Sequence, residues 1–475
     1  MADLLIKNGE VVNADGTVVA DVLIRGEKIE KVASSIEVPD DIQVIDALGK
    51  LVLPGGIDPH THFDLPMFET VSADDHYTGH KAAAFGGTTT VMDFIPQTPG
   101  MTLKSDVDLW HQKADSKAAI DWSFHMNITQ FDARVAQEIP TLLDAGIASL
   151  KVFTAYNHRL RLQDREIFQL MQLAKEHNML TMLHAENGDV IEVLVEQALS
   201  EGHSKPIWHA RTRPAWGAVE SVLRASSMAA QTEAPLYIVH MNTAGGLDQL
   251  NYARDRGVPV MGETCPQYLL FTEENLLRKD ASKWIASPPL RNESDNNALW
   301  QGLSDNQFQV IGSDHCPFFF DGSKPIEYEG QQVSIPGKEL GVNDFTKIPN
   351  GLPMVGDRLP LIWTAGVDKG KITAEQFVAQ TSTNAARIFG IFPQKGVIRA
   401  GSDADLLIID PENEVDYGVA LSQHRTDYNL FEGWKIKGIP EKVFSRGEMI
   451  VDQGKWLGRM GRGKFLARNQ TGETL

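Results

Sequence analysis

Eight short apolar runs, at residues 51–57, 88–93, 122–129, 149–153, 180–184, 236–240, 258–264 and 308–313, alternate with segments of helical pattern such as 73–85, 164–177 and 245–256. Strand-like runs separated by amphipathic helices describe repeated βα units, which build parallel sheets. Eight of them is the number that closes a (β/α)8 barrel. An open doubly wound sheet, the competing architecture, calls for a glycine-rich phosphate loop after its first strand, and none follows residues 51–57. No internal repeat, low-complexity tract or long linker interrupts the alternation. Two irregular stretches, 200–214 and 318–353, are long enough to form loops over a site.

The ends of the chain read differently. DGTVVADVLIRGEKIEKVA alternates apolar and polar residues around Asp15-Gly16 and Gly26, and residues 405–409 and 443–451 are again strand-like. Strand-rich ends around a different middle predict one small β-sandwich assembled from both termini. The expected division is 1–50 and 391–460 for the sandwich, 51–390 for the catalytic barrel, and 461–475 for a C-terminal tail. A chain of 475 residues has room for both units.

Composition narrows the class of protein. With 42% hydrophobic and 23% charged residues, wholesale disorder is excluded. A formal charge of −19 repels phosphate backbones, so nucleic acid is not an expected partner. The two cysteines, Cys265 and Cys316, exclude a disulfide framework and point to a reducing, cytoplasmic setting. The opening MADLLIKNGEVV lacks a basic segment followed by a long apolar run, and no stretch reaches about 18 uninterrupted apolar residues, so neither leader nor membrane span is expected.

Chemistry gathers where the apolar runs stop. The first ends in Asp58-Pro59-His60-Thr61-His62, the fifth in His184-Ala185-Glu186, the sixth in His240, and the eighth leads into Ser313-Asp314-His315. In a barrel these ends meet at one mouth, where barrel enzymes place their reactions. Four histidines and an aspartate there make a metal-site composition. Residues two apart in an extended segment point to one side, so His60 and His62 can reach one cation together. The other ten histidines, His111, His177 and His424 among them, are expected to be solvated or locally bonded.

Lys151 lies inside the fourth run, where a free ammonium is costly to bury. While protonated it has no lone pair for a metal. Two readings stand on the residues alone: a buried lysine paired with a carboxylate, or a lysine carboxylated by CO2 into an anionic carbamate able to bridge two cations about 3.5–4 Å apart.

The ordered motifs GGIDPHTHFD, AAFGGTTTVMDF, SLKVFTAY, HAENGD, ETCPQYL, SPPLR, GSDHCPF, DFTKIPNGLP, STNAARIFG, KGVIRAGSDADLLIIDP and YNLFEGWKIKG run through nearly the whole chain. Together they resemble the amidohydrolase superfamily and, within it, the dihydropyrimidinase/D-hydantoinase family. The resemblance implies hydrolytic opening of a 5,6-dihydropyrimidine or a 5-substituted hydantoin to an N-carbamoyl amino acid, with two divalent cations, usually zinc. It implies that His60, His62 and Asp314 hold one cation, that His184 and His240 hold the other, and that Lys151, as N6-carboxylysine, bridges them. Asp314 would also move the proton from the attacking water to the leaving ring nitrogen. Tyr156 would hydrogen-bond the developing oxyanion, and Ser287 and Asn350 would grip the amide edge of the ring through backbone groups. A homotetramer or dimer is implied as well.

Three places depart from the family pattern. Phe68-Glu69 stands where relatives often carry a glycine pair, Arg213-Pro214-Ala215-Trp216-Gly217 departs from RP-x-x-x-E with Glu220 nearby, and 322–342 is irregular. All three bear on substrate preference. The competing functions are allantoinase or dihydroorotase, which share the metal site, a mononuclear deaminase, which lacks the bridging lysine, and a non-catalytic scaffold relative.

Overall fold

The computed structural model describes residues 3–38, 42–67 and 69–475. Eight parallel strands follow one another in chain order: Gly56–Thr61, Thr88–Ile95, Asp121–Asn127, Ser149–Phe153, Leu180–His184, Leu236–Ile238, Val260–Thr264 and Val310–Ile311. The ring closes where Thr61 bridges His315 and where the His62 amide donates to the His315 carbonyl at 2.8 Å. Buried Arg358 reinforces that seam, donating from Nη1 to the carbonyls of Ile57 and Ile311 at 3.0 and 2.8 Å. The fold is the predicted (β/α)8 barrel.

The strands are buried along their length, as parallel strands between a barrel core and covering helices must be. Successive residues alternate between two cores. Ile57, Met92, Phe94, Met182, Tyr237 and Met261 fill the barrel interior, with Ile388, Phe389 and Leu466 packed into the same cluster. Their strand neighbours Val91, Ile95, Leu150, Val152, Leu183 and Ile238 join the larger cluster shared with the surrounding helices. A barrel so filled is a packed core, and barrel enzymes place their chemistry at the mouth.

Both ends of the chain build one nine-stranded sheet, whose core joins Leu4, Ile6, Val22 and Ile24 to Leu406, Ile408 and Phe444. The first apolar run divides. Leu51–Pro54 pairs with Glu10–Val11 and, antiparallel, with Leu406–Ile409 in this terminal sheet, while the barrel strand begins at Gly56. The break falls at Gly55, where an added Cβ would lie 2.1 Å from Thr89 Oγ1, so only glycine lets the chain pass from sheet to barrel. Residues after 461 do not dangle. Lys464 and Leu466 hydrogen-bond Trp122, and Arg468 is buried beneath the barrel on Ser123, Ser149 and the Phe124 carbonyl.

The irregular stretches acquire structure. Ile207–Arg211 is a short helix within 200–214. Within 322–342, Ile326–Tyr328 pairs with Gln331–Val333 and a 3₁₀ turn covers Lys338–Gly341. Lys81 fastens that hairpin through an ion pair to Glu329 at 2.6 Å. Glu69 is exposed; its neighbour Phe68 lies outside the described residues. Glu220 sits on the helix Ala215–Thr232, accepting from Asn187 and pairing with Arg224. Among the described residues no helix is long and apolar enough to cross a membrane.

Candidate metal centre at the barrel mouth

Each expected ligand sits at or just past a strand's C-terminal end. His60 lies in the first strand with His62 just beyond it, Lys151 in the fourth, and His184 ends the fifth. His240 follows the sixth and Asp314 the eighth. His60 Nε2 and His62 Nε2 stand 3.2 and 3.3 Å from Asp314 Oδ1, and their rings are 5.2 Å apart. His184 Nδ1 faces His240 Nε2 at 2.9 Å, and the His60 and His240 rings are 5.3 Å apart. His60, His240 and Asp314 each offer a ligand atom within 4.8 Å of the others, a group that can hold a metal ion.

The donor atoms fit such an ion. His60 Nε2, His62 Nδ1 and His240 Nδ1 are buried without a hydrogen-bond partner among the described residues. Orphaned buried nitrogens are costly unless something fills the place of water. Burial holds His60 and His240 far below the ordinary imidazole pKa, so both rings are neutral. Burial works to raise the Asp314 carboxyl, but His60, His62 and Lys151 outweigh it and keep Asp314 ionised.

Lys151 is buried with its ammonium nitrogen 4.7 Å from the centre of the Phe94 ring and 5.3 Å from that of Phe153. Burial pulls its pKa down to about 8 against the opposing charges of Asp314 and Glu263. Its own charge helps depress His60 and His240, which places it in the same cluster.

The residues expected to bind the ring gather beside the histidines. Tyr156 packs 5.2 Å, ring to ring, from His184, and burial raises its phenol so that it remains a proton donor. Ser287, beside it, has an Oγ that accepts from Asn350 Nδ2 at 3.1 Å. Tyr156, His240 and Asp314 all have left-handed backbones, with φ of 64°, 41° and 52°. Such conformations cost non-glycine residues energy and cluster at functional sites.

Two carboxylates went unassigned in the sequence reading. Glu263, in the seventh strand, accepts from His60 Nδ1 at 2.6 Å, from the His240 amide at 3.0 Å and from the Tyr237 hydroxyl at 3.0 Å. Its bond fixes the His60 tautomer, leaving the Nε2 lone pair toward Asp314. Burial lifts the Glu263 carboxyl to about 7. Glu186 holds His184 Nε2 at 2.8 Å and leaves the Nδ1 lone pair toward His240. Both were visible as acids at the ends of apolar runs. The expectation for the remaining histidines fails in part: His76, His80, His125 and His315 are buried, whereas His209 and His424, also buried, keep local partners in Arg213 and Ser422. His315 holds Asp74 at 3.1 Å, and His125 bridges Ser149 and the Pro59 carbonyl, so strand-end packing buries them as bonded core residues.

Comparison with known proteins points the same way. The model of the amidohydrolase family matches residues 51–450. A D-hydantoinase of Geobacillus stearothermophilus is 42% identical over 471 residues, covering 98% of this chain and 97% of its own length. The solved structure of dihydropyrimidinase from Brevibacillus agri NCHU1002 is 43% identical, with a TM-score of 0.94 over 99% of both chains. An L-hydantoinase from Arthrobacter aurescens has a TM-score of 0.87 at 27% identity, covering 98% of this chain and 100% of its own. With a family model spanning most of the sequence and relatives matched end to end, the chain belongs to the amidohydrolase family.

Proposed function

We propose that this protein hydrolyses cyclic amides, opening 5,6-dihydropyrimidine and 5-substituted hydantoin rings to N-carbamoyl amino acids. The carrying observation is that His60, His62, Lys151, His184, His240 and Asp314 share one mouth with Tyr156, Ser287 and Asn350 alongside. Full-length similarity to proteins named D-hydantoinase and dihydropyrimidinase supports the same chemistry. Amidohydrolase chemistry is metal-dependent. The donor set suits two divalent cations, zinc by preference: His60, His62 and Asp314 would hold one, and His184 and His240 the other. Lys151 would serve both as N6-carboxylysine. With a pKa near 8, part of the amine is unprotonated at neutral pH; its nitrogen adds to CO2, sheds a proton and becomes a carbamate with two ligand oxygens. When bound, the cations would acidify a bridging water and polarise the ring carbonyl.

The chain's own groups do the rest. Asp314, ionised and facing both His60 and His62, accepts the proton of the attacking water and returns it to the leaving ring nitrogen. Tyr156, protonated at all working pH values, donates to the oxygen that gains charge. Backbone groups at Ser287 and Asn350 hold the –CO–NH–CO– edge and leave the ring substituent free. Asp58 accepts from the His60 and Ser313 amides at 3.2 and 3.1 Å, locking together the two strand ends that carry His60 and Asp314. In the division of the chain, 51–390 would carry the chemistry, with 1–50 and 391–460 as support and Leu51–Pro54 on the support's side. The two free, buried cysteines accord with a cytoplasmic enzyme, which we further propose acts as a homotetramer or dimer.

The test is a panel of dihydrouracil, dihydrothymine, hydantoin, substituted hydantoins and allantoin offered to the metal-replete protein. Ring opening of the dihydropyrimidines or hydantoins is expected. Faster turnover of allantoin would make the protein an allantoinase, and no turnover together with no bound metal would make it a scaffold.

A further inference from the structure

Lys338 lies in the irregular stretch 322–342. It opens the 3₁₀ turn Lys338–Gly341 and is completely buried. Its Nζ donates to the carbonyls of Ile285 and Pro349, each at 3.0 Å. Ile285 comes two residues before Ser287, and Pro349 one before Asn350. A backbone bond from Gly351 to the Ile285 carbonyl at 3.0 Å and the Asn350–Ser287 bond at 3.1 Å join the same two loops. Burial pushes the Lys338 pKa down to about 7, the cost of placing an amine away from water. An apolar side chain would fill the space and leave the Pro349 carbonyl without this donor.

We propose that Lys338 is a positioning residue that sets the spacing of the two loops gripping the ring. The inference rests on the proposed function for the identity of those loops, and its geometry stands apart from the metals. One nitrogen with at least two N–H donors spans two convergent carbonyls and fixes the 285–287 and 349–351 backbones relative to each other. Those backbones present the groups that would read the amide edge. A shift of about 1 Å at such groups is enough to cost up to about a hundredfold in rate.

The experiment compares wild type, Lys338→Met and Lys338→Gln in the metal-loaded protein. Met keeps the apolar stem and removes the donors; Gln restores two N–H groups on a shorter stem. We expect Lys338→Met to raise KM for dihydrouracil or hydantoin about tenfold or more, with metal content unchanged and kcat less affected, and Lys338→Gln to recover part of the loss. Hydrogen exchange is expected to quicken in peptides covering 285–291 and 348–354 and nowhere else. The proposal is overturned if Lys338→Met keeps KM within twofold of wild type. It is also overturned if exchange quickens uniformly, or if metal is lost in parallel and Gln recovers nothing, since those outcomes mark general structural support. Should Lys338→Met fail to fold, the KM and local exchange of Lys338→Gln decide. If wild type opens no ring at all, the proposed function fails, and the exchange comparison still judges Lys338.

Discussion

Glu263→Gln is the sharpest probe of how the centre is held. The carboxylate receives three hydrogen bonds while fully buried, two at Oε1 from His60 Nδ1 and the His240 amide and one at Oε2 from the Tyr237 hydroxyl. Glutamine has the same shape. Its Oε1 can accept the first two, and its amide can meet a Tyr237 hydroxyl that turns to accept. What changes is charge. A hydrogen bond to a charged group contributes roughly 1.5–3 kcal/mol, against about 0.5–1.5 for a neutral pair, so the His60 bond weakens by about 1–1.5 kcal/mol. That figure corresponds to roughly tenfold in metal affinity, within the range seen when a carboxylate behind a histidine ligand is altered. The measurement is a zinc titration against a competing chelator at pH 8, above the carboxyl's pKa of about 7 so that wild type is mainly ionised. Catalysis in excess metal should recover toward wild type. If the variant binds zinc within twofold of wild type, Glu263 does not tune the first cation, and the account of His60 is wrong.

Other outcomes follow from the same geometry. Lys151→Ala is expected to drop bound metal below two per chain, read by elemental analysis, and to abolish ring opening; full activity would refute the carbamate. Tyr156→Phe should lower kcat by about a hundredfold or more with a smaller change in KM, because the lost donor acts on charge present only in the transition state; a change confined to KM would refute the oxyanion role. Asp93, buried between the Phe63 amide at 3.0 Å and Trp110 Nε1 at 3.1 Å, has its carboxyl raised by burial from 3.8 to about 8. A raised folded-state pKa means that the stability Asp93 contributes is complete below about pH 4 and is lost as pH rises toward 8. Wild type should therefore lose ground to Asp93→Asn by up to about 1.4 kcal/mol per pH unit between pH 5 and 8, in denaturant melts, and level off above. A gap that stays constant with pH would show that Asp93 does not take up a proton on folding.

Much of the site was legible because its signals are local. His60 and His62 share a side of one extended segment, and the runs before His62, His184, His240 and Asp314 lead into residue types that can ligate a metal at the mouth of a barrel. Lys151 stood out because an ammonium in an apolar run demands an explanation. Glu263 and Glu186 were equally visible as residues, but their roles depend on which histidine nitrogen they reach, which sequence spacing does not encode. The buried histidines were misjudged for a related reason: His315 and His125 are satisfied by Asp74, Ser149 and Pro59, all distant in sequence.

By itself the sequence determined the number of βα units, the sheet shared by both termini and the residues proposed as metal donors, because hydrophobic period and side-chain chemistry are properties of short segments. Tertiary structure alone decided that Leu51–Pro54 leaves the barrel, that the last residues pack beneath it through Arg468, and that Lys338 ties two loops together. It also decided the left-handed backbones of Tyr156, His240 and Asp314, which the residue types alone do not dictate. Such features are settled by partners distant in sequence, which only the closed fold brings within bonding reach.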